Sequence, residues 1–109
     1  MLTHLLRDSA IVKVLDVLLD EWETDFSKAD IAKEAGISWK AVTDVWSTLE
    51  RFGLVKYSRS VCRAKLYRVN KDNPIYKALK NLDMEILKKL DEEEKEFREV
   101  VRKYLNNKN

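Results

Sequence analysis

Six side chains that can recognise other molecules fall on one side of a predicted helix in the middle of the chain. Apolar Val42, Val45 and Trp46 account for the packed side of that helix. By elimination, its outward side carries Ser38, Trp39, Lys40, Thr43, Asp44 and Ser47. Lysine and hydroxyl groups can bond guanine edges or phosphates, tryptophan can contact a thymine methyl group, and a carboxylate can accept from a cytosine amine. Since an acid also repels phosphate, the alternative for Asp44 is a contact with Lys40 or a neighbouring helix.

A run of positive charge follows directly. Between Arg51 and Lys71 there are seven basic residues and no acidic one, although the net charge of the whole chain is only +2. Upstream, from Asp8 to Glu50, ten acidic residues stand against four lysines. A concentrated basic segment is typical of phosphate binding that is largely independent of sequence, although an ordinary solvated hairpin is the alternative. The best candidates lie nearest the predicted tip of this segment: Arg59, Arg63 and Lys65.

Catalysis and metal binding find little support in the residues. His4 and Cys62 are the only soft metal ligands, whereas zinc sites use about four. There is no glycine loop of the kind that cradles phosphates, and one histidine near the terminus is no basis for acid–base chemistry. We therefore expect no enzyme, no metal and no cofactor. A redox switch at Cys62 is the alternative to an ordinary loop residue.

The length and composition of the chain indicate how many domains it forms and where in the cell we expect it. The 109 residues suit one domain, and no apolar run approaches the roughly 20 residues that cross a bilayer. Residues 1–7 lack the basic start and long apolar stretch of a signal peptide. A single cysteine agrees with a reducing compartment. We expect no membrane span and a cytoplasmic location.

Three helices precede the basic run. The first is predicted over residues 10–22, from Ala10 to Trp22, with Ser9 as its cap. The second begins after Ser27, whose spacing to an acid three positions later fits a capping box, and ends at Gly36. The third covers residues 39–52, is capped by Ser38 and turns Phe52 inward before Gly53 stops it. Two helices joined by a glycine turn predict a helix-turn-helix.

The spacing of small and apolar residues supports that turn. Ala32 leaves room for two helices to cross closely, and Gly36 takes the left-handed conformation that a side chain resists. Ile37, Val42 and Val45 would hold the second of these helices against the first. Beyond Gly53, residues 54–59 and 64–69 favour strands, so they are predicted to pair as a hairpin with its tip near residues 60–62. The fold class is therefore mainly α with a small β-hairpin.

Four segments carry a resemblance to a known family: residues 14–19 (VLDVLL), 30–38 (DIAKEAGIS), 49–55 (LERFGLV) and 64–70 (AKLYRVN), the last followed by Asn73 and Pro74. Over about residues 5–82 the chain resembles the small archaeal winged-helix regulators related to the ArsR and MarR types. The resemblance implies a dimeric DNA-binding repressor or activator, with the helix after the turn in the major groove and the hairpin as a wing. The wing of such proteins usually has glycine where Cys62 stands.

A helical tail is predicted after the hairpin, with Asn73 as cap and Pro74 at its first position. Its apolar seam suggests a homodimer interface, although folding back on the core is the alternative, and a break near residues 81–83 stays open. The predicted dimerisation residues are Leu79, Ile86, Leu90, Phe97, Val100 and Tyr104. A two-fold dimer would place two recognition helices one DNA turn apart, roughly 34 Å.

The sequence thus predicts a winged helix-turn-helix DNA-binding domain over residues 1–74 and a C-terminal helical dimerisation arm over residues 75–109. The predicted function is sequence-specific binding of double-stranded DNA by a transcriptional regulator. The competing interpretation is a winged-helix adaptor that contacts proteins in a replication, partition or transcription complex. A random-sequence duplex at low salt separates the two, because only the DNA-binding protein would bind it.

Overall fold

The computed structural model describes residues 1–20 and 23–107, and these residues form a mainly α-helical fold with one two-stranded hairpin. This is the predicted fold class. No helix in the described ranges is long and apolar enough to cross a membrane. The elements in chain order are α1 (Leu2–Leu6), α2 (Ala10–Leu18), α3 (Lys28–Ala35), α4 (Trp39–Arg51), β1 (Val55–Val61), β2 (Ala64–Val69) and α5 (Pro74–Asn106).

The predicted caps of the central helices are confirmed. Ser9 and Ser38 each accept a hydrogen bond from a backbone N–H at the start of α2 and α4. Ser27 and Asp30 form a reciprocal capping box at α3. Gly36 ends α3 with a φ of 68°, the left-handed conformation expected there. The turn between α3 and α4 is therefore encoded by local chemistry.

The first core helix is shorter than predicted. It ends at Leu18, while Trp22, which the sequence placed in this helix, lies outside the described residues. A helix that the sequence analysis missed precedes it: α1 packs on α2 and α5 with Leu2 fully buried. Short elements of five residues carry too little periodicity to be recognised.

A carboxylate on α2 holds α1 in place. Asp16 accepts hydrogen bonds from the backbone N–H groups of Leu2 at 2.6 Å and Thr3 at 3.1 Å, and from the amino group of Met1 at 2.8 Å. Burial would raise the pKa of Asp16, but these hydrogen bonds to its charged form outweigh burial and lower the pKa below the usual value. Asp16 is therefore an ionised link between two helices.

The core is centred on Trp46 of α4, which is 1% exposed. Its ring meets Phe26 and Tyr67 edge to face, with centroids 6.4 and 5.0 Å away. The predicted inward position of Phe52 is wrong, since this side chain is 46% exposed. The helix has already ended at Arg51, so Phe52 leaves the helical direction and lies beside the Arg51 guanidinium instead.

The hairpin joins the core through Tyr67. Antiparallel pairing runs from Val55 opposite Val69 to Val61 opposite Ala64, with an irregularity between Tyr57 and Arg59. Tyr67 also exchanges two backbone hydrogen bonds, of 2.8 and 2.9 Å, with Phe26 from the segment before α3. Strand β2 is thus bonded on both sides, by β1 and by the loop that leads into the helix-turn-helix.

The tail is one continuous helix of 33 residues, with no break near residues 81–83. Its cap is Asn73, as predicted, and Pro74 occupies its first turn. Tyr76 is buried, and Leu79, Leu82 and Ile86 pack against the core from one side. Every residue from 91 to 107 is exposed. One helix therefore belongs to the core at its start and to the surface at its end.

Candidate nucleic-acid interface

The outward side of α4 is as the sequence predicted. Val42 on the opposite side is fully buried. All six predicted contact residues are exposed: Ser38, Trp39, Lys40, Thr43, Asp44 and Ser47. Trp39 has the most unusual environment, since 59% of a large aromatic side chain faces solvent at the first position of the helix. This face therefore offers hydrogen-bonding groups with no part of the described chain covering them.

Two members of that face have particular partners. The Ser38 oxygen accepts from the backbone N–H of Ala41 at 3.1 Å, so it fixes the helix start while its own O–H can still donate outward. Asp44 is exposed and forms no ion pair with Lys40 or any other described residue. The alternative of an Asp44–Lys40 contact is therefore not found.

The wing cations divide into two kinds. Arg63 and Lys65 are exposed near the tip and form no ion pair with a described residue. Arg59 is also exposed, but its Nε donates to Asp25 Oδ2 at 2.7 Å. This hydrogen bond lowers the pKa of the Asp25 carboxyl and raises that of Arg59. The charge of Arg59 is therefore partly compensated by Asp25, whereas the charges of Arg63 and Lys65 are not compensated within the described part of the chain.

One residue of the outward face of α4 and the wing tip line a common groove with a volume of about 400 Å³. Trp39 lines it from α4, while Arg63, Lys65 and Tyr67 line it from the hairpin. Ser27, Lys28 and Ala29 close it at the N-terminus of α3. Positive side chains and the positive end of a helix dipole thus surround the same opening, which favours an anionic group there.

Lys28 is a functional candidate that the sequence analysis did not select. Its ammonium lies 5.7 Å from the ring centre of Trp46 and 6.0 Å from that of Tyr67. These two rings hold the cation at the groove, beside residues far away in the chain. The sequence shows Lys28 only as a residue between the two members of the capping box, because its distance from the wing depends on the tertiary fold.

The tip of the wing has an uncommon backbone. Cys62 and Arg63 are the two residues between the paired strand ends, and both have positive φ, 48° and 72°. Two-residue hairpin loops with positive φ at both positions normally use Asn and Gly. Cys62 stands where glycine was expected, yet the hairpin closes there. The tip lies at residues 62–63, slightly beyond the predicted 60–62.

The predicted dimerisation residues fall into two groups. Leu79 and Ile86 are half-buried against the chain's own core, and Leu90 is half-buried beside α1. Phe97, Val100 and Tyr104 are 69%, 65% and 59% exposed. The start of α5 therefore folds back on the chain's own core, which was the alternative to a dimer interface, and the end of α5 does not. Among the described residues, no three His, Cys, Asp or Glu side chains lie close enough together to hold a metal ion.

The arrangement of α3, α4 and the hairpin is a winged helix-turn-helix, and solved structures share it. ZitR of Lactococcus lactis, as a mutant in apo form, is 26% identical, with a TM-score of 0.64 over 89% of this chain and 79% of that one. Wild-type ZitR in complex with DNA is also 26% identical, with a TM-score of 0.58 over 86% and 69%.

More distant structures have the same fold. The homodimeric winged helix-turn-helix DNA-binding domain of Mb0332 from Mycobacterium bovis is 17% identical, with a TM-score of 0.59 over 80% of this chain and 76% of that one. MepR, a transcription regulator of the Staphylococcus aureus efflux pump MepA, is 20% identical, with a TM-score of 0.60 over 88% and 76%. No family model matches the chain, and no curated protein matches it significantly in sequence.

Proposed function

We propose that the protein is a sequence-specific regulator of transcription that binds double-stranded DNA. The observation that carries this function is the exposed polar face of α4, whose first residue, Trp39, shares a groove with the cations of the wing. The major groove of DNA admits an α-helix, and a wing beside that helix reaches phosphates or the minor groove. ZitR, which shares this fold at 26% identity, has been solved in complex with DNA.

The residues divide between specific and general contacts. Lys40, Thr43 and Ser47 are exposed along α4 and are assigned to base edges or nearby phosphates. Trp39 at the groove is assigned to a thymine methyl group or a sugar, and Asp44 to a cytosine amine. Hydrogen bonds to bases carry sequence information, so these positions determine which duplex is preferred.

The wing and α3 supply the general contacts. Arg63, Lys65 and Lys28 surround the groove and are assigned to phosphates. Arg59 remains a candidate at the hairpin, although its ion pair with Asp25 must open or share the guanidinium before it reaches DNA. Contacts of this kind contribute affinity on every sequence and weaken as salt rises.

The regulator is proposed to act as a homodimer through α5, whose exposed end carries an apolar seam. Phe97, Val100 and Tyr104 lie on this seam beyond the last contact with the core. Residues 1–74 then form the DNA-binding domain and residues 75–109 the arm, with the first turns of the arm helix also completing the core. Two copies would bind a partly palindromic site.

The experiment compares Lys40→Ala with Arg63→Ala. Lys40→Ala is expected to change the preferred sequence among duplexes selected from a random pool. Arg63→Ala is expected to weaken binding to all duplexes and to lower the slope of log affinity against log salt by about 1. Lys88→Ala, on the exposed side of the arm, is the control and should change neither measurement.

Two results would contradict the proposal. Equal losses on every sequence from both variants would remove Lys40 from specific readout. Failure of the unaltered protein to bind a random-sequence duplex at low salt would exclude the DNA-binding function and favour the adaptor.

A further inference from the structure

The exposed end of α5 carries its charge in two blocks of opposite sign. From residue 91 to 96 there are five acidic residues and one lysine, and from 98 to 103 there are three basic residues and one acid. Both blocks flank the same apolar seam, and the whole stretch is exposed. A helix with this pattern is complementary to a reversed copy of itself.

Intrahelical ion pairs use only part of this charge. Asp91 pairs with Lys95 at 3.2 Å, and Glu94 pairs with Arg98. The charges Lys89, Glu96 and Lys103 follow one another at intervals of seven residues and so lie on one flank of the seam. None of these three forms an ion pair within the described part of the chain. Their charges are available to another molecule.

We propose that the arm pairs with the arm of a second copy in antiparallel orientation, with Phe97 of each copy opposite Val100 of the other. This inference rests on the homodimer proposed above and specifies its geometry. In this register Glu96 of each copy faces Lys103 of the other, which makes two symmetric attractive contacts along one flank of the seam. The acidic block of each arm also lies along residues 101–106 of its partner, which include Arg102 and Lys103.

A parallel pairing of the same seam is unfavourable. It would place each residue beside its own copy, and the seam position between Leu90 and Phe97 is occupied by Glu93. Two glutamates would then face each other in the interface, with the two acidic blocks aligned around them. Like charges brought together out of water oppose association. The antiparallel register separates Glu93 from its copy.

The orientation determines how far apart the two DNA-binding units stand. The symmetry axis would pass between residues 98 and 99. About 51 residues of helix then separate Asn73 of one copy from Asn73 of the other. At a rise of 1.5 Å per residue, this distance is about 76 Å. Asn73 is bonded to the end of α4. The recognition helices are therefore more than one DNA turn apart, farther than the roughly 34 Å expected from the sequence alone.

The first test reverses the facing charges. Glu96→Lys and Lys103→Glu are each expected to weaken the dimer about tenfold in sedimentation, because two attractive contacts become repulsive. The double variant should restore the original dissociation constant. Glu92→Lys, the same charge reversal away from the seam, is the matched control and should have little effect. A double variant weaker than either single variant would overturn the register.

The second test uses cysteine cross-links in a Cys62→Ser background. Glu93→Cys combined with Tyr104→Cys should form a covalent dimer, because these positions face each other only in the antiparallel pair, and neither single variant should cross-link. A cross-link from Tyr104→Cys alone would show a parallel pair and overturn the inference. If no dimer forms while a random duplex is still bound, the inference and the dimer both fail but the DNA-binding function stands.

Discussion

The two ends of α5 show how one helix serves two different surfaces. At its start, Tyr76 and Leu79 complete a core built around Trp46, and their apolar groups are covered by the same chain. At its end, Phe97 and Val100 repeat the apolar spacing with nothing from the described chain to cover them. The same pattern thus stabilises the fold in one region and is left for association in the other. Periodicity identifies an apolar seam, but only tertiary structure identifies what covers it.

The largest loss of stability is expected from a substitution in the core, at Trp46. Trp46→Ala should lower the free energy of unfolding by about 3–5 kcal/mol, because a large buried ring with two edge-to-face neighbours is lost. Val101→Ala on the arm is the control, and for the monomer it should change unfolding by less than about 0.5 kcal/mol. Urea denaturation at low protein concentration measures both. Similar losses from the two variants would show that the arm is as much a part of the fold as the core.

A medium effect is expected at Asp16, which bonds α1 to the core. Asp16→Asn should lower stability at pH 7 by about 2 kcal/mol, since charged acceptors of backbone N–H groups are lost. The folded pKa of Asp16 is lowered, so its contribution is present above the ordinary carboxyl pKa and disappears as pH falls through the folded value.

The pH dependence provides the check on this second prediction. The unaltered protein should lose stability below about pH 4 more steeply than Asp16→Asn does, because only it contains this carboxylate. Glu94→Gln, on the exposed arm, is the comparison and should leave the acid limb of the curve nearly unchanged. Parallel curves for Asp16→Asn and the unaltered protein would exclude the proposed link.

The smallest change in stability is expected at the wing tip, where one substitution should affect stability and DNA binding in opposite directions. Arg63→Gly should raise the free energy of unfolding by about 1 kcal/mol, because glycine relieves the positive φ of this residue. The same change should weaken DNA binding, since a groove cation is removed. Lys65→Ala lacks the backbone relief and should weaken binding without the gain. A less stable Arg63→Gly would show that the tip is not strained.

Much of the fold was predictable because its signals are local. Ser27 with Asp30, Ser38, and Gly36 act on backbone groups within four residues, so their effects are visible in the sequence. The exposed face of α4 was predictable for a similar reason, since inward positions at helical spacing leave only one outward side. These local rules determined both helices of the helix-turn-helix.

What could not be predicted depends on contacts between distant segments. The sequence predicts a phosphate contact at Arg59, but Asp25 lies 34 positions before it and binds its guanidinium. Lys28 reaches the groove only because Trp46 and Tyr67 come together beneath it. Phe52 fits the helical period, yet the helix ends one residue earlier. The positions of charged and apolar residues along the sequence do not reveal these distances between segments.

The side-chain amide of Asn73 joins the end of α4 to the start of α5. The Asn73 side chain donates to the carbonyl groups of Phe52 and Gly53 at 3.0 Å, and its oxygen accepts from the first N–H groups of α5 at 2.7 and 3.3 Å. A Cβ on Gly53, whose φ is +69°, would come within 2.7 Å of that amide. One side chain thus bonds both the end of α4 and the start of α5, so a displacement of the arm would act directly on the C-terminal end of α4.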